Sequence, residues 1–174
     1  LMKKVILSEY FDIISPKQSD KINFTESCMD DPDAIPFLGR SSANNGIVSY
    51  VKKVEDLVNE GGVITIALDG STGSTFYQHH PFSSGQNIWI LKPKEEYLPE
   101  GLTPLVALFL VTTIRKAAES YTYNLSLTKK RLSKLKILLP LDMYGKIDIN
   151  YIYNKMSSLR NIDLLDRIPN KRVF

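Results

Sequence analysis

The side chains in this sequence best placed to do chemistry are cations and small polar groups. Between Thr113 and Ile137 stand Arg115, Lys116, Lys129, Lys130, Arg131, Lys134 and Lys136 against Glu119 alone. That is seven positive charges and one negative, a local balance of +6 in a chain whose formal charge is +3. Tyr121, Tyr123 and Asn124 interrupt the run. Clustered Lys and Arg attract phosphates whatever the base sequence. Aromatic and amide side chains beside them stack on, or hydrogen-bond to, bases and sugars. The plainer reading of the same residues is a solvated, lysine-rich face. Two short loops add donors and acceptors next to glycine. One is Ser41-Ser42-Ala43-Asn44-Asn45-Gly46 and the other Asp69-Gly70-Ser71-Thr72-Gly73-Ser74. Glycine lets a backbone turn tightly or approach a ligand closely, and Ser, Thr and Asn also fill ordinary turns.

Residue sets for catalysis are missing. His79 and His80 are the two histidines. As neighbours on a strand they point to opposite faces, and no carboxylate or cysteine stands at ligand spacing beside them. Ser83 and Ser84 follow His80 without a nucleophile-elbow pattern or an acid partner. Asp30, Asp31 and Asp33 surround Pro32 and read as a solvated acidic turn. There is no phosphate-binding P-loop and no dinucleotide fingerprint. We therefore expect no catalytic residue, no metal and no cofactor.

The bulk properties agree with a binding module. The 174 residues fit one domain with a sizeable core, and 43% hydrophobic with 24% charged residues is a globular composition. Cys28 is alone, which rules out a disulfide framework and suits a reducing, cytoplasmic setting. No N-terminal stretch has a signal-peptide layout. The longest apolar run, Leu105 to Val111, falls far short of the ~20 residues that span a bilayer, so no membrane partner is expected. Leu1 before Met2 suggests an expression scar or an excised fragment.

The elements that must position these groups centre on Gly61 to Lys94. Gly62 to Leu68 alternates as a half-buried strand. The Asp69–Gly73 turn follows, then strands at Thr75 to Tyr77 and Gln86 to Leu91, the second carrying Trp89. Upstream, Lys3 to Ile14 reads as one short strand or turn and Ser15 to Pro32 as loop. Ile35 to Gly39 reads as a strand that Pro36 places at an edge. Ile47 to Val51 is a further strand, and Lys52 to Glu60 a short helical turn or connector. Downstream, Lys92 to Thr103 is a loop. Thr103 and Pro104 open a buried helix running to Ala118. Thr128 to Lys134 forms a helical turn, and Leu135 to Leu139 a strand ended by Pro140. Asn150 to Arg160 is an amphipathic helix with Ile152, Met156 and Leu159 on one face, capped by Asp148 or Asn150. This order lacks a regular βαβ alternation. It implies an α+β class: a mixed, irregular β-sheet domain with a buried helix and a C-terminal amphipathic helix. We divide it into residues 1–149 and a helix and tail, 150–174, suited to dimerisation or linkage.

Taken in order, these pieces resemble a known family. They are Tyr10-Phe11-Asp12-Ile13, Ile35-Pro36-Phe37-Leu38-Gly39 with the Ser41–Gly46 loop, Ile64 to Leu68 with Asp69–Gly73, and Phe76-Tyr77-Gln78 with Pro81-Phe82. Val106 to Thr113, Tyr121-Thr122-Tyr123-Asn124 and Arg131-Leu132-Ser133-Lys134-Leu135-Lys136-Ile137 leading to Leu139-Pro140 complete them. Over roughly residues 10 to 160 the chain is similar to a target recognition domain of bacterial restriction–modification systems. Such a domain is one half of a type I DNA specificity subunit, or the recognition domain of fused type IIG and IIB-like enzymes. The resemblance implies the DNA methylase specificity fold and sequence-specific recognition of double-stranded DNA, largely in the major groove. It leaves methylation and cleavage to methyltransferase and nuclease domains or subunits, with no activity in this domain itself. It implies a DNA-facing role for Ser41, Ser42, Asn44, Asn45, Gly70, Ser71, Thr72 and Gly73, beside Arg115, Tyr121, Tyr123, Asn124, Lys129, Lys130 and Arg131 from the basic segment. The chain departs from the family in having one such domain and one C-terminal helix, so it is expected either to pair with itself through that helix or to be part of a longer polypeptide. Ser15-Pro16-Lys17-Gln18-Ser19 also lacks the glycine usual after the family's first motif. The competing reading is a non-catalytic protein-interaction or scaffold domain that docks a partner through the Ile152, Met156 and Leu159 face.

Overall fold

In the computed structural model, residues 1–121 and 125–159 are described below. Among the described residues, three sheets and four α-helical segments build the domain. At its centre is an antiparallel sheet of order β2-β9-β6-β7, made of β2 (Phe11–Ile14), β9 (Ile88–Pro93), β6 (Val63–Ala67) and β7 (Thr75–Gln78). A second sheet has the order β3-β5-β4-β8, from β3 (Glu26–Ser27), β5 (Ile47–Lys52), β4 (Ala34–Leu38) and β8 (Ser83–Ser84), with β4 and β8 parallel. A third sheet pairs β1 (Met2–Ile6) with β10 (Lys136–Pro140). The helices are α1 (Leu7–Tyr10), α2 (Pro104–Ala118), α3 (Lys129–Ser133) and α4 (Ile149–Ser157).

β6 is buried at all five residues, which corrects the half-buried strand expected from its alternation. The alternation is real, but both faces are covered. Ile64 and Ile66 enter a large core with Leu110 and Ile114 of α2. Val63, together with Ile88 and Ile90 of β9, packs on Leu38 of β4 and on Phe82. The strand is therefore sandwiched between α2 and the second sheet. Each such aliphatic side chain, fully buried, contributes about 1.5–3 kcal/mol.

The capping and helix expectations hold at α2, where Thr103 Oγ1 accepts a hydrogen bond from the Val106 amide and Pro104 occupies the first turn. Val106, Ala107, Leu110, Val111, Ile114 and Ala118 are its buried residues. Leu108 and Phe109 are half-exposed, so the helix is less enclosed than its apolar first turns suggest. At α4, Asp148 is the cap, accepting from the Tyr151 amide. Ile152 and Met156 are buried in the large core, whereas Leu159 lies past the helix and is exposed.

Other stretches differ from the sequence reading. Lys3 to Ile14 holds two strands joined by the single turn α1, because Leu7 folds back into the core and its amide bonds to the Leu135 carbonyl. The 15–32 loop contributes β3 to the second sheet. Pro36 faces Tyr50 of β5, while β8 covers β4 only at Phe37 and Leu38, so Pro36 lies with Ala34 and Ile35 in the half of the strand that has an open edge. In the acidic turn Asp30 and Asp33 are exposed as expected, whereas Asp31 ion-pairs with Lys52 of β5 at 2.5 Å and also accepts from Ser27 Oγ. β9 extends to Pro93, two residues past the expected end.

Candidate nucleic-acid interface

The two glycine-bearing loops are separate in sequence and adjoin in space. The first closes with Asn44, Asn45 and Gly46 in successive left-handed conformations, at φ of 48°, 54° and 78°. Asn44 Nδ2 donates to the Ile47 carbonyl, and the Ala43 amide donates to Ser41 Oγ. The second loop turns on Gly70 and Gly73, at φ of 63° and 79°. Close approach matters at both glycines. The Cβ position of Gly70 lies 3.0 Å from Arg40 Cβ, and that of Gly73 lies 3.0 Å from Ala118 Cβ at the end of α2. Polar contacts tie the loops together. Arg40 Nη1 donates to Asp69 Oδ2 at 2.9 Å, the Ser71 amide donates to the Arg40 carbonyl, and Asn87 Nδ2 also donates to Asp69 Oδ2, at 2.8 Å.

From the second loop the surface continues onto the basic segment. Arg115, one turn from the end of α2, donates to the Thr75 carbonyl at 2.5 Å, and its guanidinium stands 5.0 Å from the centre of the Phe76 ring. Lys129 Nζ sits 4.6 Å over the ring of Trp89, a cation–π contact that holds α3 against the central sheet. Lys130, Arg131 and Lys134 then line an open hollow of about 590 Å³ with Tyr121, Ser126 and Thr128. Arg131 Nη1 donates to the Ser126 carbonyl and its amide to Thr128 Oγ1, so this arginine is fixed by its own turn. Lys129, Lys130, Arg131 and Lys134 are exposed. The arrangement presents polar loop tips beside a cluster of cations, which suits a polyanion whose edges carry hydrogen-bonding groups.

Of the residues singled out in the sequence, Ser42 and Asn44 are exposed at the first loop's tip, Ser41 is half-exposed, and Gly70, Ser71 and Thr72 form the rim of the second. Gly73 is buried and serves the approach to α2. Asn45 is exposed, but its amide donates to the Tyr77 carbonyl and to Gln78 Oε1, so both donors are committed to β7. Tyr123 and Asn124 lie outside the described residues. Arg40, Asp69, Asn87 and Trp89 were given no DNA-facing role from the sequence, yet they connect the rest. The one signal for them was an arginine at the mouth of the first loop and an aspartate opening the second.

A second hollow of about 850 Å³ lies between β7, α2 and α4, lined among others by Phe76, His79, His80, Leu108, Phe109 and Met156. His79 Nδ1 is 3.3 Å from the Tyr77 hydroxyl, and the two histidine rings meet edge to face at 4.7 Å. Among the described residues no group of three or more His, Cys, Asp and Glu is placed to hold a metal ion, and no helix is long and apolar enough to cross a membrane.

Comparison with known proteins places the fold and the family. Residues 2–171 match the family described as type I restriction modification DNA specificity domain. The curated specificity subunit S.BcgI of a type II restriction enzyme from Heyndrickxia coagulans is 26% identical over 130 residues, which are 75% of this chain and 37% of that protein. The fold is similar to the S subunit of a type I restriction–modification system from M. genitalium, with a TM-score of 0.61, 18% identity, and 95% of this chain on 39% of that one. It is also similar to the HsdS subunit of Thermoanaerobacter tengcongensis, with a TM-score of 0.54, 19% identity, and 95% of this chain on 36% of that one. The chain thus spans well under half the length of each of these relatives. With an α+β fold of open sheets and few helices, and a match over nearly its whole length, the chain belongs to the type I restriction modification DNA specificity domain family.

Proposed function

We propose that this domain recognises a specific sequence in double-stranded DNA and directs methylation and cleavage carried out by other domains or subunits of a restriction–modification enzyme. The observation that carries the reading is the continuity of the surface. The loop at 41–46 meets the loop at 69–74 through Arg40 and Asp69, the second loop meets the end of α2 through Gly73 and Ala118, and the end of α2 leads to the hollow at α3 through Tyr121, whose amide donates to the Ala118 carbonyl. Such a surface places cations where a duplex presents phosphates and small polar loop tips where it presents base edges. Family membership supports the same assignment. Residues Ser41, Ser42, Asn44, Gly70, Ser71 and Thr72 are assigned to the grooves, and Lys129, Lys130, Arg131 and Arg115 to the backbone, with Tyr121 beside them.

The interaction-domain alternative loses its motivation, because Ile152 and Met156 are buried within this chain's own core. As part of the proposal, residues 150–174 join this domain to a second recognition domain. The side of α4 that the core leaves uncovered, with Tyr151 38% exposed, and the exposed Leu159 just beyond it support that role.

The test is selection of random duplex DNA on the purified chain at two salt concentrations. We expect an enriched motif and an affinity that falls steeply as salt rises. Binding that is indifferent to salt, or absent while the protein is folded, overturns the reading.

A further inference from the structure

We infer that Arg40 reads a guanine in the target sequence, with Asp69 as the residue that positions it; this rests on the DNA-recognition reading above. Arg40 leaves β4 just ahead of the first loop and lies against the second, so it stands at the joint between the two. Its guanidinium is not free to wander. Asp69 Oδ2 holds Nη1 at 2.9 Å, and that carboxylate oxygen is itself held by Asn87 Nδ2 at 2.8 Å. The Arg40 carbonyl accepts from the Ser71 amide, and the Arg40 stem lies against Gly70.

Among the described residues Nη1 alone is engaged, which leaves the Nε and Nη2 edge with two parallel donors, and the side chain is 47% exposed. A fork of two donors on a planar group matches the N7 and O6 acceptors on the major-groove edge of guanine, which no other base presents as a pair. Holding the fork in one orientation before binding reduces the entropy lost on contact. Solvent-exposed ion pairs contribute little to stability on their own. The Arg40–Asp69 pair therefore earns more by orienting the fork than by holding the fold.

The experiment compares the motifs selected from random duplexes by the full chain and by Arg40→Met, Arg40→Lys and Asp69→Asn, with thermal unfolding of each. Arg40→Met keeps the stem against Gly70 and removes the fork, and Arg40→Lys keeps the charge without the paired donors. We expect one G·C pair in the motif to lose roughly ten- to a hundredfold of its preference in both Arg40 variants. Asp69→Asn should weaken the same pair more than any other position of the motif, and Arg40→Lys should not restore it. A uniform loss of affinity with the motif intact makes Arg40 a phosphate contact and overturns the inference, as does an unchanged motif, which makes the pair purely internal. If the wild-type chain binds DNA with no enriched base pair, Arg40 has no base to read and the inference falls while DNA binding stands. If the wild-type chain binds no DNA, the functional reading falls with it.

Discussion

Asn45 and Gln78 exchange hydrogen bonds in both directions across the junction of the first loop and β7. Asn45 Nδ2 donates to Gln78 Oε1 at 3.2 Å, and Gln78 Nε2 donates back to the Asn45 carbonyl at 3.0 Å. Gln78 also donates to Thr65 Oγ1 on β6, so one buried amide joins loop, edge strand and central strand. The loop that carries the exposed Ser42 and Asn44 is thereby anchored to the core sheet.

Replacing Gln78 with leucine keeps its volume and removes both donors and the acceptor. Partners left without hydrogen bonds in a buried setting cost about 1–3 kcal/mol. We expect Gln78→Leu to lower the midpoint of urea unfolding accordingly and to weaken DNA binding beyond that loss, since the first loop is released. Unchanged stability would show that the pair is dispensable.

Gly73 has φ of 79° and its Cβ position is 3.0 Å from Ala118 Cβ, whereas Gly62 has φ of 74° with open space around it. Gly62→Ala should cost only the left-handed backbone penalty, about 1–2 kcal/mol. Gly73→Ala should cost more, because it also pushes the loop from α2. Equal losses in thermal unfolding would mean the loop moves freely off the helix.

Lys130 and Lys134 line the hollow at α3 and are exposed. Each Lys→Ala change should reduce the slope of log affinity against log salt by about one if the residue contacts a phosphate. Stability should stay within about 0.5 kcal/mol, as for other surface substitutions. A slope that does not move would place the duplex elsewhere.

The ion pair from Asp31 to Lys52 and the bonds from Ser27 and the Asp33 amide hold the Asp31 carboxyl down at about 2. A carboxylate with a depressed folded pKa stabilises the fold above its unfolded value, about 3.9, and that stabilisation fades as pH falls toward 2. Unfolding followed between pH 5 and 2 should therefore show a decline that Asp31→Asn reduces. The same decline in the variant would assign it to other carboxylates.

Ile152 is fully buried in the large core that α2 shares. Ile152→Ala should destabilise the whole domain by about 2–5 kcal/mol, read as one cooperative transition. A variant with native stability would mean that α4 is detachable from residues 1–149.

Local features were legible in the sequence because neighbouring residues fix them. Thr103 ahead of Pro104 sets the start of α2, and the alternation from Val63 to Ala67 sets a strand. The run of seven cations from Arg115 to Lys136 needed no structure to be seen. The order of these pieces was also enough to suggest the family that the match over residues 2–171 shows. Burial of β6 on both faces was not legible, since alternation looks the same whether one or two layers cover a strand.

What the tertiary structure decided is which of these pieces meet. Arg40 and Asp69 are 29 residues apart, and Asn45 and Gln78 are 33 apart. Their contacts follow from the register of β4 on β5 and of β6 between β7 and β9, which pattern alone does not specify. The sequence by itself determined the inventory, namely two polar loops and a basic segment. The packing of the second sheet and α2 on opposite faces of the central sheet turned that inventory into one surface. It also committed the Asn45 amide to the fold and engaged Arg40 Nη1 with Asp69 while leaving that side chain partly exposed, because long-range hydrogen bonds depend on which strands become neighbours.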